Sequence, residues 1–226
     1  MRTSVKYMVI YRHKDKYSIS EMCRFFSVSR SGYYGYVKRM DTPAKDLPLA
    51  EKELLALAET LGFDQAALVD TENIVFEPSF RRFCEANLCG KYGANYTCPP
   101  DCGSAEEMRS RIRAYRKALV LQSRWEIDGR DEEAVKPAKA DHNRRTRTLM
   151  ERGELEGLMV GASGCNLCAP CLRVQGEPCR FPALRFSCMS AYCVHVAGLA
   201  GLCGMDYYSE GTVRLFSMCC FDRRDG

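Results

Sequence analysis

No apolar run in this 226-residue chain is long enough to cross a bilayer. The most apolar late stretch, 191–205, is short, glycine-rich and broken by His195. The N-terminal MRTSVKYMVIYRHKDKYS has a brief apolar stretch interrupted by charge and no small-residue cleavage site, so no secretory leader is expected. Without span or leader, the sequence predicts a cytoplasmic protein with no membrane contact, its cysteines kept as thiols or thiolates. HExxH, a Ser/His/Asp arrangement and a phosphate-binding glycine loop are missing, as is a flavin or nicotinamide site. No repeat at solenoid period occurs either. Zinc-peptidase, triad and nucleotide chemistry therefore drop out, and the residues assign no reaction.

Cysteine is what the chain has in excess. Apolar residues at 46% and charged residues at 27% are ordinary for a globular protein, whereas fourteen cysteines are not. A secreted disulfide framework is usually shorter and enters through a leader, so thiolate-rich metal binding is the better explanation. The net charge of +4 is uneven: residues 1–46 carry ten Lys/Arg against four Asp/Glu, and the remainder is slightly acidic. Basic character thus belongs to the first segment alone.

In that segment a short helix is expected over 5–13. Ser18 and Glu21 then have capping-box spacing before Ile19, Met22, Cys23 and Phe26, which recur at helical period. Val28 falls in a turn, and Ser29 can cap a second helix carrying Arg30, Tyr33, Tyr34, Val37, Lys38 and Arg39. This is the outline of a helix-turn-helix. EMCRFFSVSRSGYYGYVKR, continuing into DTPAKDLPLAE, resembles the start of the second open frame of insertion-sequence transposases with a retroviral-integrase-type core. The resemblance covers roughly residues 5–51 and stops before any catalytic core. It implies a transposase-derived fragment, with DNA binding possible only through residues 1–46 and mainly through phosphates.

A linker is expected at 41–48, then an amphipathic helix over 51–62 ending at Gly62, and a strand pair from 66–70 and 74–76. Ser104 and Glu107 cap a helix running to about 117, and 118–125 reads as a strand. Residues 128–138 read as a charged loop, 139–152 as a polar helix, 155–160 as a strand and 187–202 as an apolar helix. A terminal hairpin is expected from 205–208 and 212–221. His13 and His142 sit in basic polar stretches and read as solvated, and His195 as a packed helix residue. Cys188, Cys193 and Cys203 read as core thiols, and adjacent Cys219 and Cys220 as pointing to opposite faces of a strand.

Two cysteine groups carry the chemistry. Residues 161–182 read GASGCNLCAPCLRVQGEPCRFP: Cys165, Cys168 and Cys171 at two-residue gaps, then Cys179 after a short loop. Structural zinc usually takes two separated Cys-x-x-Cys pairs. A tight triplet plus a distant fourth suits a [4Fe–4S] cluster better, as in bacterial ferredoxins, although here proline follows the fourth cysteine by three positions instead of one. Zinc is the alternative. The first group, Cys84, Cys89, Cys98 and Cys102, lies in 19 positions rich in glycine and proline and predicts a second metal centre of open identity.

FCEANLCGKYGANYTCPP, GASGCNLCAPCLRVQGEPCRFP and SCMSAYCVHVAGLAGLCGMDYY together are similar to an uncharacterised family described as predicted metal-binding proteins. The likeness runs from about residue 52 to the end and implies metal or iron–sulfur binding in the cytoplasm, without an established reaction. Relatives often carry glycine and aspartate in place of Cys193 and His195, so no ligand role is carried onto either. The resulting expectation is a helix-turn-helix segment at 1–46 before an α+β unit at 47–226, a small mixed sheet with flanking helices and two cysteine-rich metal-binding loops. Its expected work is electron transfer to a redox partner protein through one or two [4Fe–4S] clusters. The rival functions are a zinc-stabilised interaction module and, if the first segment is active, a DNA-binding protein.

Overall fold

Two nine-residue strands, β2 (Lys117–Trp125) and β5 (Val213–Phe221), lie at the centre with most of their side chains buried. Near-continuous apolar runs are what a strand covered on both faces requires. The computed structural model describes residues 3–40 and 49–222. β1 (Gln65–Asp70) and β5 flank β2, β3 (Gly157–Gly161) lies beyond β5, and the two-residue β4 (Ser187–Cys188) closes the order β1-β2-β5-β3-β4. All pairings are antiparallel except β3 with β4. The fold is α+β: a mixed five-stranded sheet with flanking helices and further helices at the N-terminus.

Adjacent strand residues face opposite sides, and Cys219 and Cys220 do so as expected. Cys219 joins Leu54 and Ala58 of α4 (Leu49–Thr60) and Leu149 of α7 (Glu132–Arg152) in one apolar cluster. Cys220 joins Met108 and Ile112 of α6 (Ala105–Arg113) and Leu199 of α8 (Val196–Leu202) in the other. Burial pushes both thiols up, Cys220 to about 12. α5 (Arg81–Glu85) is a short helix at the edge of the first cysteine loop.

Several elements differ from expectation. α7 begins at Glu132, not 139, because Asp131 accepts from the amides of Glu133 and Ala134, both at 3.1 Å. Burial of Val135 and Ala138 in the early turns accompanies the helix past Pro137, which removes one amide donor. α8 covers only the second half of 187–202. The Met189 amide donates to Gly161, that of His195 to Val75, and Cys193 takes a left-handed φ of +54°. His195 is therefore the N-cap of α8, its Nδ1 accepting from the Gly198 amide at 2.9 Å. Phe76 bridges Val194, so 74–76 is not the partner of 66–70. Residues 205–208 form no strand; the bridge at the turn is Ser209 with Thr212, and β5 pairs with β2 and β3.

α1 (Thr3–Arg12), α2 (Ile19–Phe25) and α3 (Arg30–Met40) pack around Tyr7, Ile10, Cys23, Tyr33 and Tyr36. Ser29 Oγ accepts from the Gly32 amide at 3.0 Å, as its capping role requires. Ser18 stands at the N-cap of α2 without a side-chain bond, so the Ser18–Glu21 box is not formed; the Ser104–Glu107 box of α6 is complete. α1 rests against α8, where a Cβ on Gly201 would meet Met8 Sδ. The linker and boundary expected at 41–48 lie outside the described residues. Among the described residues, no helix is long and apolar enough to cross a membrane.

His142 is fully buried, not solvated. Its Nδ1 lies 2.5 Å from Ser123 Oγ on β2 and its Nε2 2.8 Å from Ser217 Oγ on β5, fastening α7 to both central strands. Burial first, then Arg145, push it from its ordinary 6.5 down to about 3, with Asp141 opposing. The folded chain thus refuses a proton that the unfolded chain accepts below about 6.5. This contribution is complete above that pH and is lost as pH falls toward 3. Urea midpoints should decline between pH 7 and 4. His142→Gln should lose about 1–3 kcal/mol at pH 7 and show a shallower decline; an unchanged pH slope would contradict the assignment.

Candidate metal centre

Irregular backbone must find hydrogen-bond partners outside helices and ladders. The second cysteine loop leaves β3 at Gly161, where a Cβ would stand 2.7 Å from the Phe186 ring and 2.8 Å from Asn143 Oδ1. Buried Asn143, on α7, accepts from the Ala162 amide at 2.8 Å and donates to Ser163 Oγ at 2.9 Å. Cys171 opens the single 3-10 turn Leu172–Gln175, which ends at Gly176 with φ +72°.

The first loop wraps the second. Asn95 Nδ2 donates to the Cys165 carbonyl at 3.0 Å, and the Cys165 amide donates to Thr97 Oγ1 at 3.2 Å. Asn95 Oδ1 in turn accepts from the Thr97 amide and hydroxyl at 3.0 and 2.9 Å. Lys91 Nζ donates to the carbonyls of Gly164 and Cys165 at 3.4 and 3.5 Å. Tyr96 donates to the Glu177 carbonyl at 2.7 Å, and Arg173 pairs with Asp101 at 2.8 Å. Both loops therefore share one set of polar contacts.

Cys165, Cys168, Cys171 and Cys179 line one small cavity, with Tyr96, Thr97 and Phe181 among its other walls. Loss of water pushes the Cys168 thiol up, a Leu172 amide directed at its sulfur opposes, and Cys171, Cys165 and Cys179 add repulsion in that order. The donor chemistry fits a thiophilic metal group: four sulfurs around one space, with a backbone amide turned toward one of them. Among the described residues, no set of three or more His, Cys, Asp or Glu side chains is arranged to hold a single metal ion.

In the other predicted group, the Cys102 amide donates to the Cys98 carbonyl at 3.1 Å. Burial pushes Cys84, on α5, up to about 11; Cys188 is its strongest thiolate neighbour and Arg81 opposes. Burial pushes Cys98 up to about 12, with Cys188 again the strongest thiolate neighbour and Lys91 opposing. Exposed Cys89 adds to Cys84, Cys98 and Cys188 alike. Cys102, which also acts on Cys98, sits in the apolar core, its sulfur accepting from Arg81 Nη1 at 3.5 Å, and Cys193 is hydrogen-bonded by the same guanidinium. Arg81 Nη2 is buried without a hydrogen-bond partner. Sequence reasoning missed the roles of Arg81, Lys91, Asn95 and Thr97. The available signal was polar residues placed in a loop whose backbone has no ladder to join.

A family model described as "Predicted metal-binding protein (DUF2284)" matches residues 67–220, from within β1 to within β5, and contains both cysteine loops. Neither a curated protein nor a solved structure matches the chain.

Asn95→Ala should strand the Cys165 carbonyl and cost about 1–3 kcal/mol. It should lower the urea midpoint and accelerate limited proteolysis within 161–182. Wild-type proteolysis of that loop in the variant would show that Asn95 does not tie the loops.

Proposed function

The chain belongs to the DUF2284 family of predicted metal-binding proteins, and from that premise we propose that Cys165, Cys168, Cys171 and Cys179 hold a [4Fe–4S] cluster used for electron transfer. The observation that carries this reading is the shared cavity of the four cysteines. Zinc is the alternative, and it would need its four sulfurs each about 2.3 Å from a single point. Thiolates of a four-iron cluster each bind a different iron, so they surround a volume and do not converge on one ion. Such a cluster supplies single-electron chemistry when bound.

The protein's own part is to position the sulfurs and direct an amide toward Cys168. It also presents a surface to a partner. Phe83, Leu88, Tyr92, Val174, Phe181 and Leu184 are exposed, and all lie on or beside the two cysteine loops. Apolar side chains gathered around a metal site favour docking of a redox partner protein. The working unit in this reading is 47–226, in the reducing cytoplasm that free thiolates require. Residues 1–46 are an appendage in this reading: α1–α3 have an apolar cluster of their own around Tyr7, Ile10 and Tyr33, and α1 rests on α8 through Met8.

Protein prepared anaerobically should be brown, with iron and sulfide in equal amounts and about four irons per cluster. Cys168→Ser should lose about four irons. Cys203→Ser should keep them, since Cys203 packs against the core and its thiol is pushed up to about 12 by burial alone. A colourless protein with stoichiometric zinc, or undiminished iron in Cys168→Ser, would sink the proposal.

A further inference from the structure

Next to the four-cysteine cavity lies a second one of about 200 Å³, and the two share walls: Tyr96, Thr97 and Arg185 border both. Arg111 of α6 contributes another guanidinium to the second cavity. Buried Tyr192, within reach of the Arg111 charge, and buried Ser187 add hydroxyls to its lining. The Ser187 hydroxyl has no hydrogen-bond partner among the described residues. Phe186, Leu158 and Pro182 supply apolar walls. We propose that this cavity binds a small organic carboxylate beside the four-cysteine centre, with Arg111 and Arg185 as its cationic partners.

The charge balance favours an anion. Asp101 also lines the cavity, but its carboxylate pairs with Arg173 at 2.8 Å. Glu107, close to Arg111, accepts from the Ser104 amide at 2.7 Å in the α6 capping box. Arg185 is exposed, and its side chain has no partner among the described residues. A guanidinium fork matches the two oxygens of a planar carboxylate. Apolar walls beside that fork favour an organic body over inorganic phosphate. The volume is below the roughly 300–1,000 Å³ of drug-sized sites, so the ligand is small. Its position beside a source of single electrons rests on the reading of the chain as an iron–sulfur protein, whereas the binding itself does not.

Isothermal titration of full-length protein purified anaerobically tests this with benzoate, its neutral analogue benzamide, and inorganic phosphate. Benzoate should bind saturably, once per chain, and both other probes at least about tenfold more weakly. Arg185→Gln should weaken benzoate binding about 10- to 100-fold, the range of a hydrogen bond to a charged group. Arg185→Lys should weaken it less, because lysine keeps the charge and loses the fork. Both variants should keep the wild-type urea midpoint, since the Arg185 side chain has no partner among the described residues. Arg109→Gln, on the same helix as Arg111 but outside the cavity, should leave the affinity unchanged. Absence of saturable benzoate binding, equal binding of benzamide or phosphate, or undiminished affinity in Arg185→Gln overturns the proposal. The two readings fail separately. Colourless protein that takes up benzoate keeps the cavity and loses the cluster, and brown protein that ignores benzoate does the reverse.

Discussion

A neutral imidazole bonded on both sides holds α7, and with it the second cysteine loop, to the central sheet. His142 reaches Ser123 on β2 and Ser217 on β5, and Thr146, one turn later, lies 2.7 Å from the same Ser217 hydroxyl. A polar cluster this deep is tolerable only when its members are satisfied, and its members here bond one another. The next residue, Asn143, grips the first two residues of the second cysteine loop. One turn of α7 therefore sets the sheet on one side and the loop on the other. Displacing the helix would disturb the sulfurs without touching a cysteine.

Beyond α7, order in the loops is carried by polar side chains rather than apolar burial. Asn95, Thr97 and Lys91 concentrate on the backbone of Gly164 and Cys165. Many of the loops' apolar side chains, Leu88 and Val174 among them, stay in water. Such a region has little hydrophobic reason to hold one shape, and ligation to a cluster would supply that reason, since metal binding couples to local folding. Cys102 lies within the apolar core, and Cys188 packs against the same core from β4.

How far the chain could be read in advance depended on whether the signal was local. β2, β5, the Ser104 box and the opposite facing of Cys219 and Cys220 were legible, because each is set by neighbours a few positions away. The grouping of Cys165, Cys168 and Cys171 was legible for the same reason, and the three line one cavity. His142 was not: Arg144 and Arg145 make its surroundings polar, and the buried stripe Ala138, His142, Thr146, Leu149 has polar residues at its middle. Cys188 was hidden by a periodicity in Met189, Tyr192, Val196 and Leu199 that fits a helix. Bonds from Met189 and His195 to distant strands and loops claim that backbone instead. Nothing within ten residues of Cys188 reveals Cys84 or Cys98.

The bonds from Asn95 and Thr97 to Cys165 span 70 and 68 positions of chain. During synthesis the first loop therefore emerges long before the groups that complete it. Its four cysteines leave the ribosome while Asn95 and Thr97 still lack their partners, and β4 follows later still. The nascent protein passes through an interval in which the first of two interlocking loops is exposed without the second.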